Sequence, residues 1–356
     1  MKYSVLCTVF IFLSANLSAQ SSAPNDSLIM QGETHFKNVR QLTFGGDNAE
    51  AYWSFDSKKL TFQFSDHKQI MCDQIFFGDV PVKKMPFTPH RISNGKGRTT
   101  CSYFLPGDSL ILYASTFANA DSCPPVPDKA KLKKYVWPVY NSFEIYVSTL
   151  DGSIRRQLTS NNFYDAEATI SPRGDRIIFT SDRSGDLELY TMNLNGSDVK
   201  QITNTLGYDG GAWFSPDGQK IVWRASRPTT DEEVAEYKTL LAQGLVAPTK
   251  MQVFIANADG SDVHQVTDKP GANWAPSFTP DGSRIIFSSN FEHEKGFPFN
   301  LYLINTDGSG LERISYSDSF DAFAMFSPDG KRLLFCSNRH NGGGRDTNIF
   351  VCDWVK

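Results

Sequence analysis

The sequence predicts an all-β fold: a six-bladed β-propeller of four-stranded antiparallel blades, closed by an N-terminal strand pairing with the C-terminal one. Three observations predict it. One hairpin is written six times, two further strands follow each copy but the last, and the strand missing from the last copy stands before the first.

The hairpin is a Pro-Asp-Gly turn between an aromatic-ended segment and an alternating apolar one. It reads "WFSPDGQKIVW" at 213–223, "FTPDGSRIIF" from Phe278, "FSPDGKRLLF" from Phe326 and "ISPRGDRIIF" from Ile170. Worn copies are "WSFDSKKLTF" from Trp53 and "FLPGDSLILY" from Phe104. Pro presets φ at the second turn position and Gly accepts the left-handed corner. A third strand then alternates and closes at Asp-Gly or Asn-Gly, as in "LELYTMNLNGS" (187–197) and "MQVFIANADGS" (251–261), with weaker forms at 73–79 and 347–354. A fourth ends in Thr or Ser: "PHRIS" (89–93), "RRQLT" (155–159), "VKQIT" (199–203), "VHQVT" (263–267) and "LERIS" (311–315). The turn motifs begin at Ser54, Leu105, Ser171, Ser215, Thr279 and Ser327, spaced 51, 66, 44, 64 and 48 residues apart. A four-stranded unit at this period is a propeller blade, and the two long spacings carry inserts, about 116–142 and 226–250. The last unit stops after its third strand. Its fourth is "VRQLT" at 39–43, so the two ends of the chain are expected to pair within one blade and remove the open sheet edge.

Residues 1–19 read as a signal peptide: Lys2, a short apolar run at 5–13, and small residues before a cut after Ala19. Cys7 lies inside the apolar run, which argues against a lipoprotein anchor. Residues 20–35 form an N-terminal extension and 36–356 the propeller. The mature chain is expected to be exported, periplasmic or secreted, and monomeric, with no later segment apolar enough to span a membrane. A formal net charge of −4 leaves no basic footprint for nucleic acid.

The repeats "SPDGQKIVW" and "IANADGSDVHQVT" resemble those of the TolB-like propeller family, a branch of the WD-type propellers, over residues 36–356. The resemblance implies the fold and leaves the activity open, because propellers host many. The sequence departs from two relatives of that look. TolB carries an α/β domain before its propeller, whereas here about sixteen residues separate the leader from the first strand. Propellers of prolyl-peptidase type precede a hydrolase domain, and no Gly-x-Ser-x-Gly occurs here.

Both tight turns of a four-stranded meander emerge on one rim, and the irregular loops and both inserts on the other. The irregular rim is therefore the expected working face. Six residues back from each turn motif stand Asn48, Thr99, Asp165, Asp209, Asn273 and Asp321. They either ring the channel mouth as a polar funnel for a ligand or a hard cation such as Ca²⁺, or cap loops and backbone. Two positions on, the repeat breaks: Glu50, Cys101, Glu167, Gly211, Ala275 and Phe323. One position before the ring stand Arg98, Tyr164 and Tyr208, among others. Arg183, Arg224, Arg227 and Arg339, with His67 and His340, fall on the same rim, either to bind an anionic group or to pair with the carboxylates. Trp274 replaces a small residue, either to stack on a ligand or to fill space left by Pro276.

Two inserts differ in kind. Residues 229–244 read as an amphipathic helix with Val234, Tyr237, Leu240 and Leu241 on one face. Residues 123–142 are proline-punctuated, basic and aromatic. One disulfide is expected among Cys72, Cys101 and Cys123, with Cys101–Cys123 the foremost pairing and a three-thiolate metal site the alternative. Cys336 and Cys352 are expected to stay reduced.

The leading expectation is a binding platform for a protein, peptide or glycan, with no resident cofactor. The second is a lyase or hydrolase acting on an anionic glycan, in which Glu50, Glu167, Asp165 and Asp209 supply acid and base and His67 or His340 ligates a metal.

Overall fold

The computed structural model describes residues 25–81, 85–293, 296 and 298–356; the predicted leader lies outside them. Six four-stranded antiparallel sheets stand around an axis. Their innermost strands are Asp47–Trp53, Thr99–Phe104, Asp165–Ile170, Asp209–Phe214, Asn273–Phe278 and Asp321–Phe326. They define blades 1 to 6. Phe36–Gln41 completes blade 6 by pairing antiparallel with Asn348–Trp354, Phe36 opposite Trp354 and Gln41 opposite Phe350.

The repeated residues each have a physical task. The Thr or Ser ending every outer strand accepts a backbone N–H from the third strand of its own blade. The pairs are Ser93 with Ile75, Thr159 with Ile145, Thr203 with Leu189, Thr267 with Val253 and Ser315 with Leu301, all at 2.8–2.9 Å. Thr43 does the same for Ile349 at 2.9 Å, which locks the closing strand by the device used in every other blade. Gly196 of an Asn-Gly turn sits at φ +85°, and a Cβ there would lie 2.5 Å from the Leu158 carbonyl of the preceding blade. The Pro-Asp-Gly turns touch in series in the same way, Gly282 facing Pro216 and Gly330 facing Pro280. Apolar side chains alternating along the strands fill the space between sheets; Trp53, Phe179, Trp223, Phe287 and Phe335 are fully buried there.

The blade 4 insert contains the helix Asp231–Leu241, started by a Thr230–Glu233 capping box and burying Tyr237 and Leu240. The blade 2 insert holds a single helical turn, Lys129–Leu132, and the two-residue strand Trp137–Pro138. That strand pairs with Leu245–Val246 of the blade 4 insert. The disulfide differs from the expected one: Cys123 bonds Cys72, Cα–Cα 5.9 Å, and Cys101 is free. The reason is local geometry. Cys101 occupies a bulge at φ +51° that turns its side chain to the propeller axis, while Cys72 lies on the loop of blade 1 beside the insert.

Candidate functional site

Every innermost strand carries a bulge, between Ala49 and Tyr52 in blade 1 and at the equivalent place in the other five. The bulged residues Glu50, Cys101, Glu167, Gly211, Ala275 and Phe323 all have φ between +48° and +62°. A bulge turns a strand and re-aims a side chain. All six face one central chamber, of about 30 Å³, on the propeller axis. The residues that break the repeat are therefore those that line the channel.

The polar ring two positions earlier does not. Asn48, Thr99, Asp165, Asp209, Asn273 and Asp321 are all 0% exposed, turned into the blades. Where the ring residue is Asp, an arginine eighteen positions on neutralises it. Arg183 Nη2 donates to both oxygens of Asp165 at 2.8 and 2.9 Å, Arg227 to Asp209 at 2.6 and 2.9 Å, and Arg339 to Asp321 at 2.8 Å. Each guanidinium lies over an aromatic ring of its blade, such as Arg227 at 4.8 Å from Phe254. Where the ring residue is neutral in blades 2 and 5, Phe117 and Phe291 stand in place of the arginine, 4.4 Å from Tyr146 and 4.7 Å from Tyr302. Thr99 bonds Ser115 at 2.8 Å, and the amides of Asn48 and Asn273 donate to backbone carbonyls. A buried carboxylate needs a counter-charge, so acid and arginine occur together. Arg339 also holds Glu33 of the N-terminal extension, at 2.8 and 3.0 Å, in a fully buried triad.

The chamber brings two carboxyls into different settings. Glu167 is saturated: Tyr208 Oη donates at 2.6 Å, Thr180 Oγ1 at 2.8 Å, Gly211 N at 2.9 Å, and Arg224 Nη2 closes the set. The approach is tight enough to demand Gly211, whose Cβ would fall 1.9 Å from Arg224 Nη1. Burial lowers the Arg224 pKa, but Glu167, Tyr208, Glu50 and Cys101 together outweigh it, and the net shift is upward. Glu50 has no such partner. Its contacts are the Cys101 thiol, donating at 3.0 Å, and the Tyr52 hydroxyl at 3.5 Å. Burial raises its pKa above the ordinary carboxyl value, against the thiol and Arg224. Burial and then the charges of Glu50 and Glu167 push Cys101 well up, so it stays a thiol at neutral pH. Below them, Tyr52 and Tyr103 meet Trp213 edge-on at 4.7 and 4.8 Å and plug the channel towards the turn rim.

Above them lies a roof. Trp137, from the blade 2 insert, reaches across the axis and stacks on Trp274 of blade 5, centroids 4.9 Å apart and planes 19° apart. The Arg224 guanidinium lies 5.3 Å from the same indole. The Trp274 face is thus covered by the chain's own tryptophan. Sequence reasoning had no hold on Trp137, whose only signal is the aromatic density of its insert.

The remaining rim residues are dispersed. His67 bonds Asp47 at 2.8 Å on the exposed rim, Arg98 bonds Asp73 at 2.8 Å, and His340 bonds the Ser27 carbonyl at 2.9 Å. Among the described residues no group of three or more His, Cys, Asp and Glu is placed to hold a metal ion. Among the described residues no helix is long and apolar enough to cross a membrane.

No match exists among curated proteins. Solved structures with the same fold include TolB from Acinetobacter baumannii, at 19% identity and TM-score 0.54, covering 77% of this chain and 56% of that one. An oligogalacturonate lyase in complex with manganese aligns at 14% identity and TM-score 0.54, over 95% and 96% of the two chains. A gluconolactonase from Xanthomonas campestris aligns at 12% identity and TM-score 0.55, over 95% and 96%. At such identities the likeness is one of fold. The TolB beta propeller domain matches residues 126–245 and 240–353, more than half of the sequence, and the chain belongs to that family.

Proposed function

We propose that this chain is an exported binding protein that receives a protein, peptide or glycan ligand on its irregular rim, at the roofed mouth of the channel. One observation carries the reading: the two inserts converge there, joined by the Trp137–Pro138 and Leu245–Val246 pairing, over a polar chamber. The opposite rim is consumed by its own turns, with Ser215 Oγ donating to Asp217 at 2.6 Å and Ser327 Oγ to Asp329 at 2.6 Å. The Cys72–Cys123 bond supports an oxidising compartment. The test is a thermal-shift screen of acidic and neutral oligosaccharides, peptides and divalent cations. Hits are repeated on Phe163→Asp, on the irregular rim, and Gln219→Asp, on the turn rim. A hit erased by the first and kept by the second is expected; the reverse refutes the choice of face.

A second reading, catalysis on an anionic glycan, is favoured by Glu50 and Glu167 lining one chamber in unlike settings, one ion-paired and one raised by burial. One structural relative is an oligogalacturonate lyase, an activity of this class, though the manganese bound there has no matching ligand cluster among the described residues here. Release of new chain ends from acidic oligosaccharides, abolished in Glu50→Gln, supports it. Release unchanged in that variant refutes it.

A further inference from the structure

Two buried donors beside the roof have no acceptor. Trp274 Nε1, on a residue 6% exposed, and Arg224 Nε are both shielded from solvent without a hydrogen-bond partner. Buried donors are rarely left so. Both belong to side chains that touch the Trp137 ring, one by stacking at 4.9 Å and the other as a guanidinium at 5.3 Å. Trp137 fits this slot by shape and fails it by chemistry. An indole has no acceptor to offer, and its own Nε1 is given to the Tyr135 hydroxyl at 3.0 Å.

We propose that the slot between Trp274 and Arg224 is a ligand subsite, that Trp137 occupies it as a self-plug, and that the ligand displacing it is a sugar ring bearing a carboxylate. The inference rests on the irregular rim being the working face. The apolar face of a pyranose replaces one indole against the other. The ligand's carboxylate accepts from Arg224 Nε, the donor left without an acceptor, while the adjoining Nη2 is held by Glu167 and by Tyr208 Oη at 2.7 Å, so the guanidinium is oriented before the ligand arrives. Ring hydroxyls supply the acceptor for Trp274 Nε1 and donors for Glu50, which has only a thiol and a distant phenol. The plug is releasable because Trp137 sits on a strand of two residues.

The test is calorimetric titration of galacturonate, and of galactose as the same ring without the carboxylate, into the whole chain and into Trp137→Gly and Trp137→Gly/Trp274→Ala. Emptying the slot removes the competing self-occupied state, so Trp137→Gly is expected to bind galacturonate about tenfold tighter than wild type or better. Galactose gains less, and the double variant loses the gain. Equal galacturonate affinity in wild type and a folded Trp137→Gly overturns the plug, and equal gains for both sugars overturn the anionic ligand. Should Trp137→Gly fail to fold, the wild type decides by circular dichroism. The stacked Trp137–Trp274 pair gives an exciton couplet that saturating galacturonate is expected to abolish; a couplet that persists overturns the proposal. Failure here, alongside a rim-dependent hit with another ligand, leaves the working face standing and removes only the plug.

Discussion

Glu188→Gln is expected to stabilise the protein, and more so as pH rises. The third strand of each blade opens on Gln74, Glu144, Glu188, Gln252, Asn300 or Asn348. Gln252 shows what the position wants: its Nε2 donates to the Lys269 carbonyl at 2.6 Å while its Oε1 accepts from Thr267 Oγ1 at 2.7 Å. Gln74 likewise donates to Gly97 O at 2.8 Å. Glu188 is 2% exposed and its Oε2 has no partner. Burial, then the charges of Asp209 and Asp186, push its pKa from 4.5 up to about 8, against a hydrogen bond from Thr203. The folded state therefore holds a proton that the unfolded chain releases near pH 4.5. Stability from this group is complete below that value and falls as pH rises towards about 8, by about 1.4 kcal/mol per unit. The whole window amounts to ~5 kcal/mol, and a single unpaired buried acceptor is expected to cost ~1–3 kcal/mol, so a gain of roughly 1–5 kcal/mol at pH 8 brackets both. At pH 5 the gain should shrink below about 1 kcal/mol. Urea unfolding followed by tryptophan fluorescence at both pH values measures it. A gain equal at pH 5 and pH 8, or a loss at pH 8, refutes the reasoning.

Three further outcomes follow from buried contacts. Glu33→Ala removes two hydrogen bonds from the buried Arg339, which keeps Asp321, and should cost about 1–3 kcal/mol, read as a lowered melting temperature with early proteolysis of the N-terminal segment. Cys72→Ser should destabilise by up to about 4 kcal/mol from the 51-residue separation its bond spans, while Cys101→Ser should leave the disulfide intact; thiol titration of the unfolded chain lacking residues 1–19 should find Cys101, Cys336 and Cys352 and no others. Gly211→Ala should displace Arg224 from Glu167 and cost about 1–3 kcal/mol, because the added Cβ would collide with the guanidinium; the positive φ itself is carried by side chains at the same bulge in the other five blades. A melting temperature unchanged in Gly211→Ala would contradict the packing described.

Repetition made the fold legible. Pro-Asp-Gly turns, strand alternation and the terminal Thr or Ser are local signals acting within one blade, so Thr43 could be matched to the outer strands of other blades from sequence alone. The same comparison found Glu50 and Glu167, because they break a repeat. What it could not give was direction. Whether Asp165 or Glu167 faces the channel depends on a bulge two residues wide, which reverses the simple alternation of a strand and appears only in backbone torsions. Nor could spacing choose Cys72 over Cys101 as the partner of Cys123, since both lie near the insert and only side-chain aim separates them. The sequence by itself determined the ring of blades and its closure, because these rest on contacts between neighbours in a repeating pattern. Tertiary structure alone decided the chamber and its roof, because Trp137 and Trp274 meet across the axis, between blades that no local pattern relates.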